Sequence, residues 1–279
     1  MRQEAYFCTV KELDKLGKDN IPRQLISHTH LIYSSPATLA FNSPGAEGFG
    51  VKRAGLAVPD SVMLIVSPGC CGRNTSVLSS MRAYQDRFYY LLMDETDIVT
   101  GRHLKKIPKA VAEICEGLKK KPSVVMICIT CVDALLGTDM ERVCHKAEEY
   151  AGVPVRPCYM YALTREGRKP PMVHVRQSVY SLLEPRKKKG NVVNLLGYFS
   201  PLTDDCELYD LLHGAGVKTI HEISRCKDYA QYQTMSEANF NLVLHPEARF
   251  AAEDFHDRLK IPYIELRRLY QIDKIANQY

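Results

Sequence analysis

From Ser61 onward, short apolar runs alternate with segments of helical period, and this alternation constrains the fold more than any other feature of the chain. The runs at 62–66 (VMLIV), 87–93 (RFYYLLM), 124–129 (VVMICI) and 153–161 (VPVRPCYMY) have the β-branched and aromatic content of buried strands. Between them, Ile107, Val111, Ile114, Cys115 and Leu118 share one helix stripe. Met140, Val143, Cys144, Ala147 and Ala151 share another, ahead of Gly152 as a helix stop. Strand–helix alternation at this spacing predicts βαβ units, hence a parallel sheet with helices on both faces. The basic run "EPRKKKGN" (184–191) interrupts the pattern, which then restarts. Strands are expected at 192–198, 217–223, 240–244 and 262–266, with helices near 204–214, 227–238 and 250–260. The expectation is an α/β protein of two Rossmann-like domains, each a mainly parallel sheet with helices on both faces. An irregular N-terminal arm (1–50) precedes a first domain (51–187) and a second (188–279).

Length and composition agree with this division and remove some functions. A chain of 279 residues exceeds the usual size of one domain, and 46% apolar with 25% charged residues can bury a core. The net charge of +5 is modest, and aromatic residues do not interleave with the basic ones, so no nucleic-acid partner is expected. The opening "MRQEAYFCTVKELDKLGK" is amphipathic, without the apolar centre of a signal peptide. No apolar stretch approaches the roughly 20 residues of a membrane span. A cytoplasmic protein without a membrane partner is expected.

The cysteines then divide by position. Ten of them in a cytosolic chain imply packing, metal ligation or redox chemistry rather than disulfides. Cys115 and Cys144 lie on helix stripes and Cys128 and Cys158 within strands, all core positions; Cys8, Cys206 and Cys226 follow no pattern. Cys70 and Cys71 sit on the turn "SPGCCG" after the first strand, and Cys131 directly after "VVMICIT". Ligands of doubly wound sheets bind outside the carboxyl ends of the strands, so both cysteine-bearing loops are expected on one rim. "CITC" also has the spacing of a redox dithiol. That chemistry wants the pair at a helix N-terminus, whereas Cys128 falls inside the strand. Asp94, Glu95 and Asp97 end a third strand, as acceptors near a bound group or as a helix cap, the reading taken for Asp97. His245 follows "FNLVL" and reads either as a metal ligand or proton donor, or as a surface histidine before Pro246. Arg225 and Arg249, at neighbouring positions, either receive carboxylates bidentately or face solvent.

Several of these stretches together resemble the nitrogenase component 1 superfamily, which includes the nitrogenase subunits, their cofactor-assembly scaffold and the dark-operative tetrapyrrole reductases. "FNSPGAEGFGVKRAG" (41–55), "VSPGCC" (66–71), "MDETDIVTG" (93–101) and "ITCVDALLGTDMERV" (129–143) are similar to family segments in the same order. "LLGYFSPLTDD" and "NFNLVLHPEAR" stand where the family lines its active-site cavity. The resemblance implies that Cys71 and Cys131 correspond to the second and third cluster cysteines. Phe41 stands in place of the first, and Cys70 in place of a glycine. Two such thiolates per chain, doubled by a homodimer or a paralogous subunit, would complete one [4Fe–4S] cluster at a subunit interface, with Cys70 as a further possible ligand. By the same resemblance His245 occupies the place of the residue that holds nitrogenase's catalytic cofactor. The implied function is a nitrogenase-like protein taking low-potential electrons from an ATP-hydrolysing iron–sulfur reductase protein and passing them to a small-molecule substrate or metallocofactor. The alternative is a non-catalytic scaffold or carrier for a cluster or metallocofactor. The chain has no P-loop signature, so nucleotide hydrolysis would belong to the partner. The chain also ends about where the family's third α/β domain would begin, the mark of a shortened member.

Overall fold

A computed structural model of the chain describes residues 9–17, 20, 44–69, 84–130, 132–133, 136–159 and 169–266. Met1–Ser43 and Pro44–Tyr279 are two separate compact units. Within the first, helix α1 (Val10–Leu16) opens on a capping arrangement: the Thr9 hydroxyl accepts from the Glu12 backbone N–H at 3.3 Å, and the Glu12 carboxylate accepts from Thr9 N–H at 2.7 Å.

The second unit carries two parallel four-stranded sheets. The first contains β1 (Val62–Ser67), β2 (Phe88–Leu92), β3 (Val125–Ile129) and β4 (Val155–Tyr159) in the order β2-β1-β3-β4. The second contains β5 (Val192–Leu196), β6 (Thr219–His221), β7 (Phe240–Val243) and β8 (Tyr263–Glu265) in the equivalent order β6-β5-β7-β8. Every strand pair is parallel, as the alternation predicts.

Every residue of β1 and β3 is buried, because both faces of the sheet are covered. Val62, Leu64 and Val66 join Val125, Ile127 and Ile129 on one face, under α4 (His103–Gly117) and α5 (Met140–Ala151). The expected stripes are the ones used: Ile107, Val111 and Ile114 from α4, and Met140, Cys144 and Ala147 from α5. Met63, Ile65, Met126, Cys128 and Cys158 point the other way, onto Val51 and Ala54 of α2 (Pro44–Gly55) and Val175 and Val179 of α6 (Pro171–Tyr180). That apolar cluster continues without a break into the second sheet. It takes in Leu196 and Val243 together with Ala251, Ala252 and Phe255 of α9 (Arg249–Leu259). The far face of the second sheet packs Val193, Leu195 and Leu242 against α7 (Glu207–Gly214).

Several elements differ from the sequence reading, among them α1, a helix inside the arm read as irregular. α2 begins at Pro44, inside the stretch read as irregular. α6 forms where no helix is expected, because its polar residues His174, Arg176, Gln177 and Ser178 interleave with Val173, Val175 and Val179 and leave no single apolar stripe. The expected helix at 227–238 is a short α8 (Tyr229–Gln233) followed by a 3₁₀ turn over Thr234–Glu237. Of the cysteines assigned to the core, Cys128, Cys144 and Cys158 are buried and Cys115 is half-buried. No helix among the described residues is long and apolar enough to cross a membrane.

Candidate functional site

In each sheet the chain adds its second strand on one side of the first and its third strand on the other. This leaves a topological switch point between β1 and β3, and another between β5 and β7. At such a point the loops leaving the carboxyl ends diverge and open a crevice.

At the first switch point β1 and β3 run side by side, with Val66 opposite Ile129. Ser67 and Thr130 follow these residues on neighbouring strands and lead into the segments that carry Cys70, Cys71 and Cys131. Those three cysteines lie outside the described residues. Their flanks are informative. Ser67 and Thr130 are buried, and neither hydroxyl oxygen has a hydrogen-bond partner among the described residues. Unsatisfied buried hydroxyls are costly and rare, and two on adjacent strand ends mark a place that lacks an acceptor. An anionic sulfur centre held by the following cysteines is a chemically fitting acceptor. Two residues past Cys131, Asp133 is fully buried; its Oδ1 takes His103 Nε2 at 2.8 Å and the Thr138 hydroxyl at 3.1 Å, while Oδ2 has no partner among the described residues. The Nδ1 of His103 lies 3.0 Å from the Asp97 carbonyl oxygen. One buried imidazole thus braces two rim loops, the one after β2 and the one after β3.

The acidic stretch after β2 is a helix cap. Asp94 caps α3 (Glu95–Thr100) and accepts from Asp97 N–H at 2.6 Å; Asp97 returns the contact to Asp94 N–H at 3.4 Å. Asp97 is buried, and hydrogen bonds first from Lys106 and then from Arg102 hold its carboxyl far below the ordinary range. Among the described residues no group of three or more His, Cys, Asp or Glu side chains is placed to hold a metal.

At the second switch point stand Gly197 and His245. Gly197 adopts φ +137°, and a Cβ there would lie 2.7 Å from the His245 backbone nitrogen, so the two strand ends touch only because this residue is glycine. His245 Nδ1 accepts from Glu247 N–H at 3.3 Å and lies 3.6 Å from the Glu247 carboxylate. Glu247 pairs at 2.7 Å with Arg176 of α6, whose Nε and Nη2 donate to the Gly197 carbonyl at 3.0 and 2.6 Å. Burial lowers the His245 pKa below its ordinary value, against the opposing pull of Glu247. The arginines expected to receive carboxylates do so within the chain. Arg249 forks onto both oxygens of Glu265, at 2.8 Å for Nη2. Arg225 donates to Glu222 at 2.9 Å, to Asp204 at 2.6 Å and to the Leu202 carbonyl at 2.7 Å.

Between the amino end of the first sheet and the carboxyl end of the second lies an open cleft of about 610 Å³. Arg53, Asp60 and Tyr84 line one wall; Phe199, Cys226 and Lys227 line the other. Asp60 is paired with Lys120 at 2.8 Å, and burial raises the Cys226 thiol to about 11, so it is neutral at physiological pH.

Against known families, the model described as nitrogenase component 1 type oxidoreductase matches residues 47–278. The chain belongs to that family. Among curated relatives it is similar to the nitrogenase iron-molybdenum cofactor biosynthesis protein NifE of a Nostoc species, 27% identical over 77% of this chain and 46% of the relative. The NifE protein of Klebsiella pneumoniae is 26% identical over 80% of this chain and 53% of its own length. The chain spans about half the length of the curated relatives it matches. A solved structure, nitrogenase Cp1 at pH 6.5, shares the fold with a TM-score of 0.60 and 17% identity, over 82% of this chain and 55% of that one. Members of the family bind iron–sulfur clusters in general, which agrees with cysteines following strands at a switch point.

Sequence reasoning missed His103, Asp133, Arg176 and His174. The last is half-buried on α6 edge-on to Tyr159, ring centroids 4.3 Å apart, and loss of solvent, aided by Lys169, lowers it to about 4. Each is an ionisable residue inside the protein, where sequence alone reads a solvated face.

Proposed function

We propose that this chain is an iron–sulfur-binding carrier subunit for metallocofactor assembly. In this reading Cys71 and Cys131 supply half the ligands of a [4Fe–4S] cluster, and a second copy or a paralogous chain supplies the rest. The observation that carries the proposal is the pairing of β1 with β3, which brings the strand ends preceding both cysteine segments together at one switch point. A cubane takes four thiolates and each chain offers two well-placed ones, with Cys70 in reserve, so a dimer is the smallest closed count. Ser67 and Thr130 would donate their unsatisfied hydroxyls toward that centre. The cluster would contribute one-electron chemistry, fed by a separate ATP-hydrolysing iron–sulfur reductase protein. The cleft, within the usual size of small-molecule sites, would receive the cargo, with Arg53, Arg87 and Lys227 among its lining residues. The names of the NifE relatives favour a carrier.

A second reading, a reductase that turns over a small substrate, is favoured by His245, a lowered-pKa imidazole at a switch point. Anaerobic purification with iron and sulfide analysis and light scattering tests the first reading, which expects about four irons per dimer. Cys71→Ala and Cys131→Ala should each abolish visible absorbance and Cys70→Ala should retain most of it. An iron-free protein after reconstitution, or a monomer holding a full cubane, sinks the proposal. Loss of colour in Cys70→Ala but not Cys71→Ala would shift the ligand register by one. Multiple turnovers of any substrate with a reduced partner would select the reductase over the carrier.

A further inference from the structure

At the corner where α3 meets α4, a groove of about 520 Å³ runs along the side of α5. Its floor is apolar, from Ile98, Leu104, Leu136 and Val143, and Leu136 is 52% exposed. Its rim is cationic, from Lys105 on α4 and Arg142 and Lys146 on α5. The neighbouring basic residues are used internally: Arg102, just before α4, and Lys106 within it both bind Asp97. Lys105, Arg142 and Lys146 form no ion pair with any described residue, and neither Glu141 nor Glu149 on the flank of α5 comes within ion-pair range of them. Among the described lining residues a single acid, Asp139, accepts from Arg142 N–H at 3.1 Å as the cap of α5. Three unpaired cations around exposed aliphatic side chains form a surface whose complement carries acids and apolar groups together.

We infer that this groove docks an acidic amphipathic helix of a partner protein. Arg142 and Lys146 are one turn apart on the same face, the spacing that matches glutamates at i and i+4 on a helix lying alongside. Lys105 closes the groove from the opposite wall, and Leu136 with Val143 receives the partner's apolar stripe. The described lining residues include no phenylalanine, tyrosine or tryptophan ring on which a base could stack, which disfavours a nucleic-acid strand. The inference goes beyond cluster binding and does not rest on it, since none of the described residues lining the groove is a cysteine.

The test uses the full chain and a fluorescent amphipathic peptide with glutamates and leucines at i, i+4 spacing. A lysine-for-glutamate version and a single-stranded oligonucleotide serve as comparison probes, all followed by anisotropy. Iron content of each preparation is measured, so that failure of the cluster reading and failure of the groove are seen separately. The acidic peptide should bind in a salt-sensitive manner and the basic one should not. Arg142→Glu combined with Lys146→Glu should weaken binding at least about tenfold, and Leu136→Ala should weaken it too. Lys218→Glu, the same type of charge change on the other sheet, should leave affinity within about twofold, with circular dichroism confirming that all variants fold. Equal losses from Lys218→Glu, an unaffected Arg142→Glu/Lys146→Glu protein, or tighter groove-dependent binding of the oligonucleotide overturns the inference.

Discussion

Replacing His103 by alanine should cost this protein about 3–5 kcal/mol. The imidazole is 1% exposed and its partner Asp133 is fully buried, with 2.8 Å between Nε2 and Oδ1. Removing one member of a buried pair leaves the other without compensation, and such deletions cost roughly that amount. The estimate belongs at the upper end because Asp133 Oδ2 already lacks a partner, so that only the Thr138 hydroxyl would remain on that carboxylate. For a unit of this size, each 1 kcal/mol moves the melting temperature by about 2–4 °C, so a fall of about 10 °C is expected. Asp133→Asn keeps an oxygen for His103 and Thr138 and should cost less, about 1–2 kcal/mol. Urea unfolding of the iron-free protein followed by circular dichroism gives both numbers without interference from a bound group. The double variant should show coupling, with the combined loss well below the sum of the two single losses. A His103→Ala cost below about 1 kcal/mol, or additive losses, would show that the pair does not brace the rim loops.

Gly197→Ala should destabilise by at least about 2 kcal/mol, because φ is +137° and the new methyl meets the backbone of His245; denaturant midpoints check this. Stability should fall as the pH drops from about 6.5 toward 4, because His174 stays neutral in the fold to about 4 while the unfolded chain binds its proton near 6.5. His221 and His245, also lowered by burial, add to the same trend. His174→Gln should therefore flatten the profile over that window without abolishing it, as read from unfolding at pH 7 and 4.5. Arg176→Met removes the charge facing Glu247 and the two donors to the Gly197 carbonyl; it should cost about 3 kcal/mol and raise the apparent pKa of His245 by NMR titration, since one nearby cation is gone.

The layout was legible because parallel strands covered on both faces need continuous apolar runs, and β1 and β3 have them. Helices with one wet side announced their period, as α4 and α5 did. α2 was hidden by its glycines: "PGAEGFGVKRAG" has a loop's composition, and it is the packing of Val51 and Ala54 that holds it helical. α6 was hidden for a different reason, since Val173, Val175 and Val179 alternate with His174, Arg176 and Ser178 and no helical stripe shows. The strand-end cysteines and His245 could be placed because topology assigns meaning to the residue after a strand. The His103–Asp133 and Arg176–Glu247 pairs could not, since their members are 30 and 71 positions apart and only the fold makes them neighbours.

The unbroken apolar cluster that joins the two sheets determines how the cleft can work. Tyr180 of α6 and Phe255 of α9 are both buried, with ring centroids 5.3 Å apart, and Arg258 reaches from α9 to the Tyr180 carbonyl at 3.0 Å. Swinging one sheet away from the other would strip this layer and expose such side chains to water, at about 2 kcal/mol for each. The molecule therefore has no hinge between its sheets. In the proposed carrier, cargo would meet an open cleft of fixed width and be admitted or rejected by size. Adjustment is left to the loops at the rim, so cargo exchange would proceed by local loop opening while the scaffold behind it stays still.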